Sequence, residues 1–207
     1  MAKEGIPFIL LFIIGAIVAR LVLPGSKAVP IILVLLAAFS AYFFRDPDRV
    51  VPVGQNLIIS PADGKVVFVG QVDDAHYFDG PAKKVSIFMS LFDVHVNRSP
   101  VSGKVRDIIY NKGTFFKANS DKASMDNEQN WVIMEKSSHL LAFVQIAGYL
   151  ARRIVCTISE GQSVGVGDKV GLIMFGSRLD LYLPLETEVK VTEGLKVRAG
   201  ESVIGEL

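Results

Sequence analysis

Several things are scarce in this sequence, and each shortage narrows what the protein can be. A single cysteine, Cys156, excludes an internal disulfide framework and any multi-cysteine metal site. It lies in Arg153-Ile154-Val155-Cys156-Thr157-Ile158, the setting of a strand thiol packed in a core rather than a reactive one. Only three histidines occur, none with a second histidine or a cysteine at ligand spacing, so no metal is expected. Charge of either sign is not in excess: 22 Lys and Arg against 21 Asp and Glu leave +1, without the broad basic field that nucleic acid requires. Windows that support a long amphipathic helix are few after Val50.

What is abundant is apolar residues, 50% of the 207, and they are concentrated at the N-terminus. Ile6 to Leu23 is broken only by Pro7, Gly15 and Arg20, and a second run goes from Ala28 to Phe44. Each approaches the ~20 residues that cross a hydrocarbon core. Pro24-Gly25 between them is a turn, so the pair predicts a helical hairpin that either spans the bilayer or dips into it. A second apolar run and the lack of a small-residue cleavage site argue against a signal peptide. Lys3 before the hairpin and Arg45 and Arg49 after it place the body on the cytoplasmic side of the cell membrane. The domains are therefore read as 1–49, hairpin and linker, and 50–207.

Beyond Arg45-Asp46-Pro47-Asp48-Arg49, short β-branched runs alternate with Gly, Pro, Asp and Asn clusters, for example Lys65 to Val69, Lys84 to Met89 and Leu141 to Ile146. The fold expected is mainly β. Glu160-Gly161-Gln162-Ser163-Val164-Gly165-Val166-Gly167-Asp168-Lys169-Val170 is echoed by Glu193-Gly194-Leu195-Lys196-Val197-Arg198-Ala199-Gly200-Glu201-Ser202-Val203. Such paired hairpins suggest a barrel-sandwich hybrid of the lipoyl and biotinyl type.

Four segments carry the chemical candidates. Gly176-Ser177 sits within an apolar stretch read as one strand, where glycine marks a bend and the serine beside it is a candidate nucleophile. Ser60-Pro61-Ala62-Asp63-Gly64 is a turn by composition, and its Asp63 is a carboxylate able to orient an imidazole. In Asp93-Val94-His95-Val96-Asn97-Arg98, alternation puts Asp93, His95 and Asn97 on one face if the preceding strand continues. His95 is the candidate base, because His76 and His139 lie in polar loops. Ser120-Asp121-Lys122-Ala123 looks like a lipoyl-lysine hairpin but sits in a polar run; Gly161-Gln162-Ser163-Val164-Gly165 fits a nucleophile elbow without the helix that elbow needs.

Taken in order, Phe43-Phe44-Arg45-Asp46-Pro47-Asp48-Arg49, Ser60 to Gly64, Asp93 to Arg98, Asn127-Glu128-Gln129-Asn130, Gln145-Ile146-Ala147-Gly148, Ala151 to Val155 and Phe175-Gly176-Ser177-Arg178 resemble the phosphatidylserine decarboxylases, in their short prokaryotic-type form. The resemblance implies a self-cleaving proenzyme. Ser177 attacks the Gly176 carbonyl, the ester eliminates, and a large chain 1–176 parts from a small chain 177–207 headed by a pyruvoyl group. That ketone condenses with the amine of phosphatidylserine and accepts the electron pair left as carbon dioxide departs, giving phosphatidylethanolamine. Asp63, His95 and Ser177 would form the maturation triad. Arg98 stands where longer relatives carry a second histidine, and its fork suits the lipid's phosphate or carboxylate. The bilayer and a second copy of the chain are further candidate partners. The competing readings are a membrane-anchored lipoyl-like adaptor without catalysis, and a pyruvoyl decarboxylase for another amino-acid headgroup.

Overall fold

In a computed structural model, which describes residues 1–73, 80–113, 127–148, 153–174 and 177–207, the chain divides into two units, Met1–Asp48 and Arg49–Leu207. Arg49 falls to the second unit because its guanidinium is bonded inside it, to Asp63 and Glu201. The decoy around Lys122, together with His76, Ala151, Arg152, Phe175 and Gly176, lies outside the described residues.

The first unit is a helical hairpin. A 3-10 turn (Lys3–Gly5) leads into α1 (Ile6–Val22), with Pro7 in its first turn where a missing N–H does no harm. Pro24-Gly25 reverses the chain into α2 (Ala28–Phe43). Lys3–Val22 has a mean hydropathy of 2.5 and is long and apolar enough to cross a membrane. α2, with 16 residues, is about 24 Å long and falls short of a ~30 Å hydrocarbon core.

The second unit is mainly β, as expected. Its strands are β1 (Leu57–Ile59), β2 (Gly64–Val72), β3 (Ala82–Met89), β4 (Val96–Arg98), β5 (Gly103–Asn111), β6 (Gln129–Lys136), β7 (His139–Ala147), β8 (Ile154–Cys156), β9 (Ser163–Val164), β10 (Lys169–Ile173), β11 (Ser177–Leu183), β12 (Glu188–Val189), β13 (Lys196–Val197) and β14 (Val203–Glu206). All pairings among the described residues are antiparallel. An eight-stranded sheet runs β13-β2-β3-β11-β7-β6-β5-β9, beside two small sheets, β1-β14-β12 and β4-β10-β8.

Alternation decides what each face of the large sheet holds. Val85, Ile87 and Met89 of β3, Phe143 and Ala147 of β7, and Leu179 and Leu181 of β11 face the main core. Ala142, Val144, Ile146 and Tyr182 face a second cluster on the reverse side, where Tyr182 stacks on Trp131 at 4.9 Å. Strands buried on both faces explain the near-continuous apolar runs in the sequence.

The hairpin echo proves to be half of a larger internal symmetry. Ser60-Pro61-Ala62-Asp63-Gly64-Lys65-Val66 recurs as Ser99-Pro100-Val101-Ser102-Gly103-Lys104-Val105. The two copies exchange bonds reciprocally: Arg98 N–H donates to Pro61 O and Ile59 N–H to Pro100 O, both at 2.9 Å. Each copy then takes one of the echoed hairpins, through Gly200 N–H to Ser60 O and Gly167 N–H to Ser99 O, again both 2.9 Å. Gly167 and Gly200 turn the chain at φ +82 and +78, a region that glycine enters without strain.

Candidate active site

Ser177 opens β11, the strand at the centre of the large sheet, with β3 on one side and β7 on the other. The single strand expected across Gly176-Ser177 is thus two: β10 ends at Ile173 and β11 begins at Ser177, in a different sheet. Directly across from Ser177 stand Met89 and Ala147, and alternation turns its side chain toward the main core. The residue is fully buried, and its Oγ has no hydrogen-bond partner among the described residues. Burying a hydroxyl without a partner costs about 1–3 kcal/mol, which a structural serine would avoid.

The strand end beside it is pinned. Asn127 Nδ2 donates to Ala147 O at 2.8 Å, and Ala147 N–H donates to Glu128 O at 3.0 Å. On the same face runs a chain of buried amides. Asn130 Nδ2 donates to Gln145 Oε1 (2.9 Å), and Gln145 Nε2 donates to Asn97 Oδ1 (2.9 Å). Asn97 Nδ2 then rests on the Met89 sulfur at 3.7 Å, a weak acceptor directly across from Ser177. Gln145 and Asn130 interrupt apolar strands at core-facing positions, a signal present in the sequence that alternation alone would have picked out.

His95 is buried immediately before β4, and its Nδ1 lies 3.0 Å from Asp93 O. A carbonyl only accepts, so Nδ1 carries the proton and Nε2 is left as the basic nitrogen. β4 pairs with β10 through Val96 and Leu172, so His95 flanks the strand that runs on toward Ser177. The expectation that Asp93, His95 and Asn97 share one strand face is overturned. β3 stops at Met89, and Asp93 closes a turn, its Oδ2 accepting from Ser90 N–H (2.8 Å) and Ser90 Oγ (2.6 Å).

Asp63 accepts Arg49 Nη2 on both its carboxylate oxygens, at 2.9 and 2.8 Å, and Ala199 N–H at 2.8 Å. Its carboxylate holds the linker and a turn. At the symmetric place, Ser102 Oγ accepts Val166 N–H at 3.0 Å, so a neutral oxygen suffices there. The charge of Asp63 serves Arg49, a pairing that the sequence read only as a linker charge. Arg98 is buried and donates Nη1 to Gly167 O at 3.0 Å. Arg178 points to the reverse face from Ser177, where its Nη2 donates to the buried Asp180 at 3.1 Å, with Lys84 Nζ 2.9 Å from the same carboxylate. His139, as a surface residue, pairs with Glu186 at 3.3 Å.

Comparison with known proteins points to one family. A family model described as phosphatidylserine decarboxylase matches residues 36–205. A phosphatidylserine decarboxylase proenzyme from Desulfotalea psychrophila is 45% identical over 100% of this chain and 96% of its own length. Proenzymes of the same name from a Geobacter species and from Syntrophotalea carbinolica are 44% and 46% identical, each over 99% of this chain and 95% of their own.

Proposed function

The chain belongs to the phosphatidylserine decarboxylase family, and from that premise we propose that Ser177 cuts its own chain to become the group with which this carboxy-lyase converts phosphatidylserine to phosphatidylethanolamine and carbon dioxide. The observation that carries the reading is the fully buried Ser177 Oγ, without a partner among the described residues, at the head of the central strand. His95 Nε2 takes the hydroxyl proton as Oγ attacks the Gly176 carbonyl. The peptide nitrogen leaves as the amine, and the acyl group now sits on oxygen. Removal of the Ser177 α-proton expels the Gly176 carboxylate, and water replaces the nitrogen, which departs as ammonia. Asp63 supports this site by fastening Arg49 and Ala199 rather than by touching the imidazole.

The surroundings of Ser177 fit a pyruvoyl group. A ketone oxygen donates nothing, and the apolar neighbours Met89 and Ala147 ask nothing of it. When formed, that group supplies the carbonyl that takes the lipid amine and the electron pair released with carbon dioxide. Arg98 is assigned to the lipid's anionic groups, and His95 to proton transfer in turnover. Arg98→Lys keeps the charge but not the fork, and is expected to raise KM more than it slows chain cleavage.

The two-fold repeat supports a barrel-sandwich-hybrid-like second unit. The apolar hairpin anchors the chain in the cell membrane, with the catalytic unit on the cytoplasmic face. That orientation rests on Lys3 and Arg45, since Arg49 is consumed by Asp63. The test is the intact mass of the purified protein: a fragment beginning at residue 177, lighter than its sequence by the lost serine amine. Ser177→Ala is expected to stay whole and folded. A wild-type chain that runs as one uncut mass would end this reading.

A further inference from the structure

The substrate in this reading is a lipid whose tails stay in the bilayer, so the end of the sheet where Ser177 lies must come to the membrane surface. β3 ends at Met89, β7 at Ala147 and β5 at Asn111, while β11 begins at Ser177 and β6 at Gln129, so five neighbouring strands terminate there together. Among the described residues, two large aromatic side chains are exposed at this end. Phe92, 68% exposed, sits at the tip of the turn between Met89 and His95, and Tyr110, 55% exposed, lies near the end of β5.

Neither is loosely held. The Phe92 turn is braced on both sides by Asp93, whose carboxylate accepts from Ser90 N–H and Oγ at 2.8 and 2.6 Å and whose own N–H donates to Ser90 O at 3.0 Å. Tyr110 Oη donates to Glu128 Oε1 at 2.7 Å, and that bond, with burial second, raises the phenol's pKa and keeps it neutral. Two carboxylates at this end, Asp93 and Glu128, are thereby turned onto donors. Among the described residues two cations there are exposed: Lys112, just past β5, and Arg153, whose carbonyl accepts the N–H of Met174 on the path to Ser177. Aromatic rings flanked by cations are the chemistry of a side chain set that rests in the headgroup layer of an anionic bilayer.

We propose that this rim, with Phe92 and Tyr110 as its apolar anchors and Lys112 and Arg153 as its charges, docks the catalytic unit onto an anionic lipid surface and delivers the headgroup to Ser177. The proposal rests on the decarboxylase reading, and its first test does not. In the full chain carrying Ser177→Ala and Cys156→Ser, an environment-sensitive dye is placed at Phe92→Cys and, separately, at Leu185→Cys. Leu185 lies past the far end of β11, about 20 Å from Ser177 along the strand. In vesicles of phosphatidylcholine and phosphatidylserine, lipid-borne quenchers are expected to quench the dye at 92 and not at 185. Quenching at 92 by aqueous iodide alone, or equal lipid quenching at both sites, would overturn the docking surface.

The second test is kinetic. Phe92→Ser combined with Tyr110→Ser is expected to raise the apparent KM for bilayer phosphatidylserine about tenfold, as removal of a partly buried aromatic contact does, with the C-terminal fragment mass unchanged. An equal loss on a dispersed short-chain phosphatidylserine, or no loss on either substrate, contradicts the proposal. Wild type without any cleavage would instead refute the decarboxylase reading while leaving the quenching result intact.

Discussion

Asp180 shows how far one buried charge can organise its surroundings. It is fully buried between Arg178 and Lys84, and the three alternate with the apolar side chains of the reverse face. Asp180→Asn removes the anion and leaves two cations facing each other, which should destabilise the unit by about 3–5 kcal/mol in a denaturant titration. The same cluster accounts for Arg178, which follows Ser177 in sequence yet points away from it. Gln145→Leu tests the amide chain in the same way: Asn97 and Asn130 each lose a partner, at a cost of about 2–4 kcal/mol, and slower appearance of the 177–207 fragment should accompany it. Tyr182 carries a pH signature. Burial first, then the Asp180 charge, raises its pKa well above the ordinary 10. A group raised on folding contributes stability that is complete below its unfolded value and is lost as pH climbs past it. Melting temperature should therefore fall above pH 10 in the wild type, and fall less in Tyr182→Phe.

At the level of strands, the approach of β10 to β8 depends on the absence of a side chain. A Cβ on Gly171 would meet Val155 O at 2.0 Å, a backbone atom that cannot swing aside. Gly171→Ala must therefore push β8 from β10, the strand that carries the chain toward the cut. A loss of about 3 kcal/mol or more is expected, with the uncut precursor accumulating on a denaturing gel. A normal ratio of cut to uncut chain in this variant would show that β10 does not position Ser177. Strand identity was largely legible: Lys65 to Val69, Lys84 to Met89 and Leu141 to Ile146 all lie in strands as read. The break between β10 and β11 was not, because apolar character continues across it and only the change of sheet separates them.

For the whole molecule, residues 177–207 are woven through the rest of the chain. β11 lies between β3 and β7, β13 pairs with β2, and β14 lies between β1 and β12. Cut before Ser177 as proposed, the two pieces should co-elute in native gel filtration and part only in denaturant. Separation of the 177–207 fragment under native conditions would contradict the interleaved sheets described here. The internal symmetry belongs to this level too. One hairpin echo was visible in sequence, whereas the Ser-Pro-x-x-Gly-Lys-Val pair was recognised through its reciprocal bonds, since such short turn segments carry little weight until they meet.

By itself the sequence determined the mainly β body, the apolar hairpin, the candidate serine and histidine, and the family, because periodicity, composition and ordered motifs are properties of the chain. Only the tertiary structure decided which side chains serve one another. Asp63 meets Arg49, Asn97 is held by Gln145 and rests on Ser177's neighbour Met89, and Phe92 is exposed at the strand end where Ser177 lies. Each of these depends on strand register and turn geometry, which bring distant residues within 3–4 Å and leave no mark on the residues taken one at a time.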